Sequence, residues 1–141
     1  MSLGNAINAS ASALNAQRAR MEVAVSNLAN AESTRGADGQ PYRRRDVVLA
    51  STPMGGFDAA MGRADAVGVQ VAEIVEDTEP FQRRFEPAHP DADAEGFVSV
   101  PNVNVPEEMV DMLGAARAYQ ANLTAINVIR DTIQRSLELG K

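Results

Sequence analysis

Apolar residues near the start of the chain recur every seven positions, at Ile7, Leu14, Met21 and Leu28, with Leu3, Ala11, Ala24 and Val25 filling the same stripe. No glycine or proline falls between Asn5 and Asn30, and alanine, the best helix former, is frequent. The pattern predicts a helix with a narrow seam of the coiled-coil type, ended by Ser33, Thr34 and Gly36. A second pattern starts after Asn104, a candidate cap, with Pro106 in the first turn. Met109, Met112, Ala116, Tyr119, Leu123 and Ile126 step by three and four, and Ile133 and Leu137 continue the register. Arg130 falls on the seam, where the neighbouring Ile129 can cover the stripe. Glu107, Glu108 and Asp111 suit the positive end of the helix dipole; Gly140 is the expected stop, with Arg130, Arg135 and Lys141 at the negative end. About 33 helical residues would reach about 50 Å, longer than a compact domain of this size needs.

Between the helices, residues 34–104 read as short strands and loops. Residues 47–49, 67–75, 81–85 and 96–100 are the candidate strands, and Pro53 with Gly55-Gly56, and Pro87 with Pro90, mark turns. The small, glycine-rich stretch 51–65 is expected to be mobile. The fold class is therefore mainly α: long N- and C-terminal helices pairing as a coiled coil, with a small irregular or β middle. The expected division is 1–33, 34–104 and 105–141.

Composition narrows the chemistry. Thirteen basic against nineteen acidic residues give a net charge of −6 over 141 residues, which opposes nucleic-acid binding. Cysteine is absent, which removes disulfides, thiolate metal sites and Cys nucleophiles. Asn5, Asn8, Asn15 and several serines interrupt the early apolar run, so neither a cleaved signal nor direct membrane insertion is expected.

The sharper signal is a lack of charge. Only Arg18, Arg20 and Glu22 are charged within residues 1–31, and the off-seam face is Ala, Ser and Asn. A solvated helix normally carries charge along its outer face. Small neutral side chains instead permit close approach by other protein on several sides. Two paired helices and a small insertion would leave much of that surface open, and such patches mark interaction sites. Head-to-tail contacts between similar chains grow into helical filaments or tubes. A subunit of a helical assembly is the main reading; a secreted adaptor or soluble helical binding module is the alternative.

Two stretches resemble the flagellar basal-body rod family. Ser26-Asn27-Leu28-Ala29-Asn30-Ala31, then Thr34 and Tyr42-Arg43-Arg44, is similar to its N-terminal signature, with Arg35-Gly36 where Pro-Gly is usual and Tyr42 displaced by an insertion. The run from Pro87 through His89, Pro90, Asp91, Asp93 and Gly96, continuing into Pro101, Asn102, Asn104, Glu108 and Met109, resembles the proximal-rod members most closely. The resemblance implies terminal helices packed as the inner domain of a tube, the D0-like rod core. It also implies export through the flagellar type III apparatus without a cleaved signal, and a rod that crosses the periplasm and transmits torque. The implied partners are other copies of the chain, other rod proteins and the MS-ring and export-gate adaptor.

No catalytic constellation accompanies these features, so no enzyme, cofactor or metal is expected. His89, the lone histidine, lacks the partners general-base chemistry requires. Asp91, Asp93 and Glu95 alternate like calcium ligands but lack the glycine and distant Glu of an EF-hand loop. Arg43, Arg44 and Arg45 form the dense basic run, expected either as a solvated loop or to meet acidic faces of neighbouring subunits such as Glu73, Glu76, Asp77 and Glu79.

Overall fold

A computed structural model describes residues 3–54 and 66–140. Helix α1 spans Leu3–Ala29, strands β1 and β2 span Arg45–Met54 and Ala66–Glu76, strands β3 and β4 span Gln82–Phe85 and Phe97–Val100, and helix α2 spans Val105–Leu139. The two helices pack on each other in opposite directions: Asn27 near the end of α1 meets Glu108 in the first turns of α2, and Arg20 lies 3.9 Å from Asp111. At 1.5 Å per residue, α1 is about 40 Å long and α2 about 52 Å. Both expected helices and all four expected strand positions are present. The first strand is longer than the run 47–49, and residues 51–54, expected in a mobile stretch, belong to it. The remainder of that stretch, 55–65, lies outside the described residues.

Strands β1 and β2 form an antiparallel pair whose register shifts between Val48 and Leu49; the partner changes from Glu73 to Val71 and leaves Ala72 as the extra residue. This pair lies against α1. The contact is close because Gly68 has no side chain. A Cβ there would stand 2.7 Å from Met54 Cε and 2.9 Å from Ser12 Oγ. The Ser12 hydroxyl accepts the Val69 N–H at 3.0 Å and donates to the Ala9 carbonyl at 2.7 Å, which stitches strand to helix.

Strands β3 and β4 form a second antiparallel pair, with Val98 and Val100 buried on one face of β4 and Phe85 edge-on to Phe97. Gly96 closes the preceding turn at φ +85°, a left-handed conformation that favours glycine.

The helix ends differ from expectation. Asn104 occupies the cap position of α2, but its side chain makes no capping hydrogen bond; its carbonyl accepts the Glu108 N–H at 3.0 Å. Gly140 follows the last residue of α2 without entering the left-handed region, and no basic residue lies in the last turn. Arg130 and Arg135 sit too far upstream for the dipole role, and Lys141 lies outside the described residues. At the end of α1, Asn30 replaces the expected stop. Its N–H bonds back to the Ser26 carbonyl and its side-chain amide donates to the same oxygen at 2.9 Å.

Candidate assembly surface

The residues buried on the two helices are small or polar. In α1 the buried positions are Ala16, Ala24 and Asn27; in α2 they are Glu108 and Ala115. None of the thirteen expected seam residues is buried in the single chain. Ile7, Leu14, Met21, Leu28, Met112, Tyr119, Ile126 and Ile133 are half-buried, while Leu3, Val25, Met109, Leu123 and Leu137 are exposed. The expectation that pairing would bury both seams against each other is therefore corrected. Full burial falls instead on alanines and on the polar pair Asn27 and Glu108, while the large apolar side chains keep part of their surface open. Val110, Leu113, Val128 and Leu139 extend the exposed apolar surface of α2. Isolated exposed apolar residues are ordinary, but a run of them along one long helix marks an interaction surface. Buried Gln17 Oε1 also lacks a hydrogen-bond partner among the described residues.

The charges on α2 fit the same picture. Beyond Asp111, Arg117, Arg130, Asp131, Arg135 and Glu138 make no ion pair among the described residues. No described helix is long and apolar enough to cross a membrane.

Some of the residues that carried the family resemblance build the inside of the subunit. Asn27 sits at the centre, 1% exposed. Its Nδ2 donates to Glu108 Oε2 at 3.0 Å and to the Arg45 carbonyl at 2.8 Å, while its Oδ1 accepts the Arg45 N–H and the Tyr42 hydroxyl, both at 3.0 Å. Tyr42 also meets Ser26 Oγ at 3.2 Å. Arg44 Nε donates to Glu108 Oε1 at 2.6 Å. Burial opposes the charge on Arg44, but its hydrogen bond and attraction to Glu108, helped by Asp46 and Asp77, raise its pKa above the usual arginine value. Glu108 thus serves as a buried counter-ion as well as lying, with the exposed Glu107, in the first turn of α2 where acids were expected.

The arginine run is anchored inside the subunit. Each arginine has a partner within the chain, so the run is not a freely solvated loop. Arg43 donates to the carbonyls of Asp77 and Glu79 and lies over the Phe81 ring, and Arg45 pairs with Glu76 at 3.3 Å. No residue periodicity could reveal these partners, which lie 31 to 64 positions away. The signal available in the sequence was the bare presence of a motif Asn and a motif Glu at the two helix ends.

The remaining motif residues hold the second strand pair in place. Asp91 accepts the Thr34 hydroxyl at 2.8 Å and Arg35 at 3.4 Å, and its own N–H donates to His89 Nδ1 at 3.1 Å. His89 is a turn residue, as expected. Asn102 bridges Gln82 and Glu79, Pro101 is buried, Pro90 and Ala29 are exposed. Among the described residues no group of three acids or histidines could hold a metal. Asp93 instead ties its own turn: Oδ1 accepts the N–H groups of Glu95 and Phe97, each at 2.9 Å, and Oδ2 accepts Arg83 at 2.7 Å. The Phe97 N–H is the main reason its carboxyl is held below the ordinary value; desolvation opposes it, and the Glu95 N–H and Arg83 add to the lowering. A lowered folded-state pKa favours the folded turn above the unfolded value, and that contribution disappears as pH falls through the folded value. The Glu95 and Phe97 amide resonances should therefore shift together on acidification below the ordinary carboxylate range. Asp93→Asn should abolish that shift, and its survival would show that another group is responsible.

Comparison with known proteins adds a consistent result. The model of the family described as flagella basal body rod protein matches residues 7–37, and that of the flagellar basal body rod FlgEFG protein C-terminal family matches residues 94–139. The chain is 45% identical over 141 residues to flagellar basal-body rod protein FlgC of Salmonella typhimurium, covering all of both chains. FlgC of Bacillus subtilis is 42% identical over an alignment covering all of both chains, and FlgC of Aquifex aeolicus 39% identical over 100% of this chain and 99% of its own.

Proposed function

The chain belongs to the family of flagellar basal-body rod proteins typified by FlgC and is a structural subunit of the rod; from that premise we propose that it builds the proximal rod as a helical tube that transmits torque across the periplasm. The observation that carries the tube is the exposed apolar flank of two long, mutually packed helices. In the tube, the residues expected as the assembly seam, from Leu3 to Leu28 and from Met109 to Leu137, become covered by neighbouring subunits. The helices there pair as coiled coils between chains as well as within one. Each seam held by several subunits resists twist better than an isolated pair, since linked contacts act together. The two terminal helices form the rod core and residues 34–104 the middle region. Its neighbours are other copies of the chain, other rod proteins and the MS-ring and export-gate adaptor. The chain reaches them through the type III export apparatus without a cleaved signal, and it works without catalysis.

The test is a deletion strain and the basal bodies isolated from it. Loss of swimming, a rod truncated at its base, and recovery of both on complementation are the expected results. A deletion strain that swims with a complete rod would refute the proposal.

A further inference from the structure

The helix contact has a degeneracy. The apolar residues buried on the two helices, Ala16, Ala24 and Ala115, are all alanines. Alanine side chains are short and interlock little, so they resist a slide by one turn, about 5 Å, less than large interdigitated side chains would. Apolar packing of that kind gives little preference for one stagger. The polar cluster at one end does. Asn27 uses both amide hydrogens and both lone pairs, and Glu108, 2% exposed, has a partner on each oxygen. A shift by one turn would strand a buried amide and a buried carboxylate, which is costly. Burial on the helices is also concentrated at this end: α2 has no buried residue after Ala115, and α1 none before Ala16, among the described side chains.

We infer that the Asn27–Arg44–Glu108 cluster is a register lock, setting the stagger of α1 on α2 and hence which apolar residues the subunit presents outward. A single buried polar group that fixes register at some expense of stability is a known use of such residues in paired helices. The inference concerns the free chain and does not depend on the rod reading.

Absence of cysteine makes the test clean. Spin labels on cysteines introduced at Asn15 and Gln120, both exposed, report the stagger of the purified full chain. The native background should give one narrow distance. The combined variant Asn27→Leu, Arg44→Met, Glu108→Leu should remain helical and give a broadened or doubled distribution, with a component displaced by about 5 Å. A folded triple variant with the native single distance would overturn the inference. Should the triple variant fail to fold, Glu108→Gln decides. It keeps the shape but sets a donor where an acceptor stood, so a second distance is expected, and an unchanged one counts against the lock. Because the readout is a distance within the free chain, it can fail while the rod function stands, and the reverse.

Discussion

Cutting Glu108 back to alanine is expected to lower folding stability by about 3 kcal/mol, the low end of what breaking a buried ion pair costs. Arg44 loses a 2.6 Å partner, and Asn27 loses one of its four hydrogen bonds. The low end is appropriate because the Arg44 side chain is 24% exposed and can turn partly toward water, whereas Glu108 cannot. Native stabilities of about 5–15 kcal/mol make this a large fraction. Few residues here are fully buried, so little else absorbs the loss. Chemical denaturation measures the effect. Arg18→Ala is the control: its bridge to Glu22 is 68% exposed on both sides, so a change within about 0.5 kcal/mol is expected. Equal effects for the two variants would mean that the Glu108 carboxylate contributes no more than a surface charge.

The second large effect separates folding from assembly. Leu123 and Leu137 lie on one stripe of α2, 43% and 67% exposed in the single chain. Changing both to glutamate should cost the free chain no more than about 1 kcal/mol, since exposed positions tolerate substitution. In an assembled rod the same leucines are covered. Each buried leucine is worth about 1.5–3 kcal/mol, and a buried unpaired carboxylate is worse still. The double variant should therefore melt like the parent yet leave a deletion strain unable to swim or to build rods. Normal swimming would place this stripe outside the assembly surface.

Much of the architecture was legible because it depends on near neighbours in the chain. The seven-residue recurrence from Ile7 to Leu28 and the three-and-four stepping after Pro106 report which side of a helix is apolar. Alternating valines at 67, 69 and 71 do the same for a strand. What the stripe faces was not legible. Heptad leucines and methionines look like the buried line, but full burial falls on Ala16, Ala24 and Ala115, which composition treats as helix filler. Asn104 looked like a cap and is one in position only. The three arginines looked like a patch and became three separate anchors, to backbone carbonyls, to Glu108 and to Glu76.

By itself the sequence determined where the helices lie, that thiol chemistry is impossible, and which family the chain joins. Those features follow from local periodicity, from composition and from motif order. Only the tertiary structure decided that Glu108 is a buried counter-ion, that Asn27 spends its whole hydrogen-bonding capacity inside the subunit, and that no large apolar seam residue is fully buried. Asn27 and Glu108 stand 81 positions apart, and Arg44 and Glu108 64 apart. A buried polar group must find its partner wherever the chain path brings one, and that path is set by packing, which no window along the sequence contains.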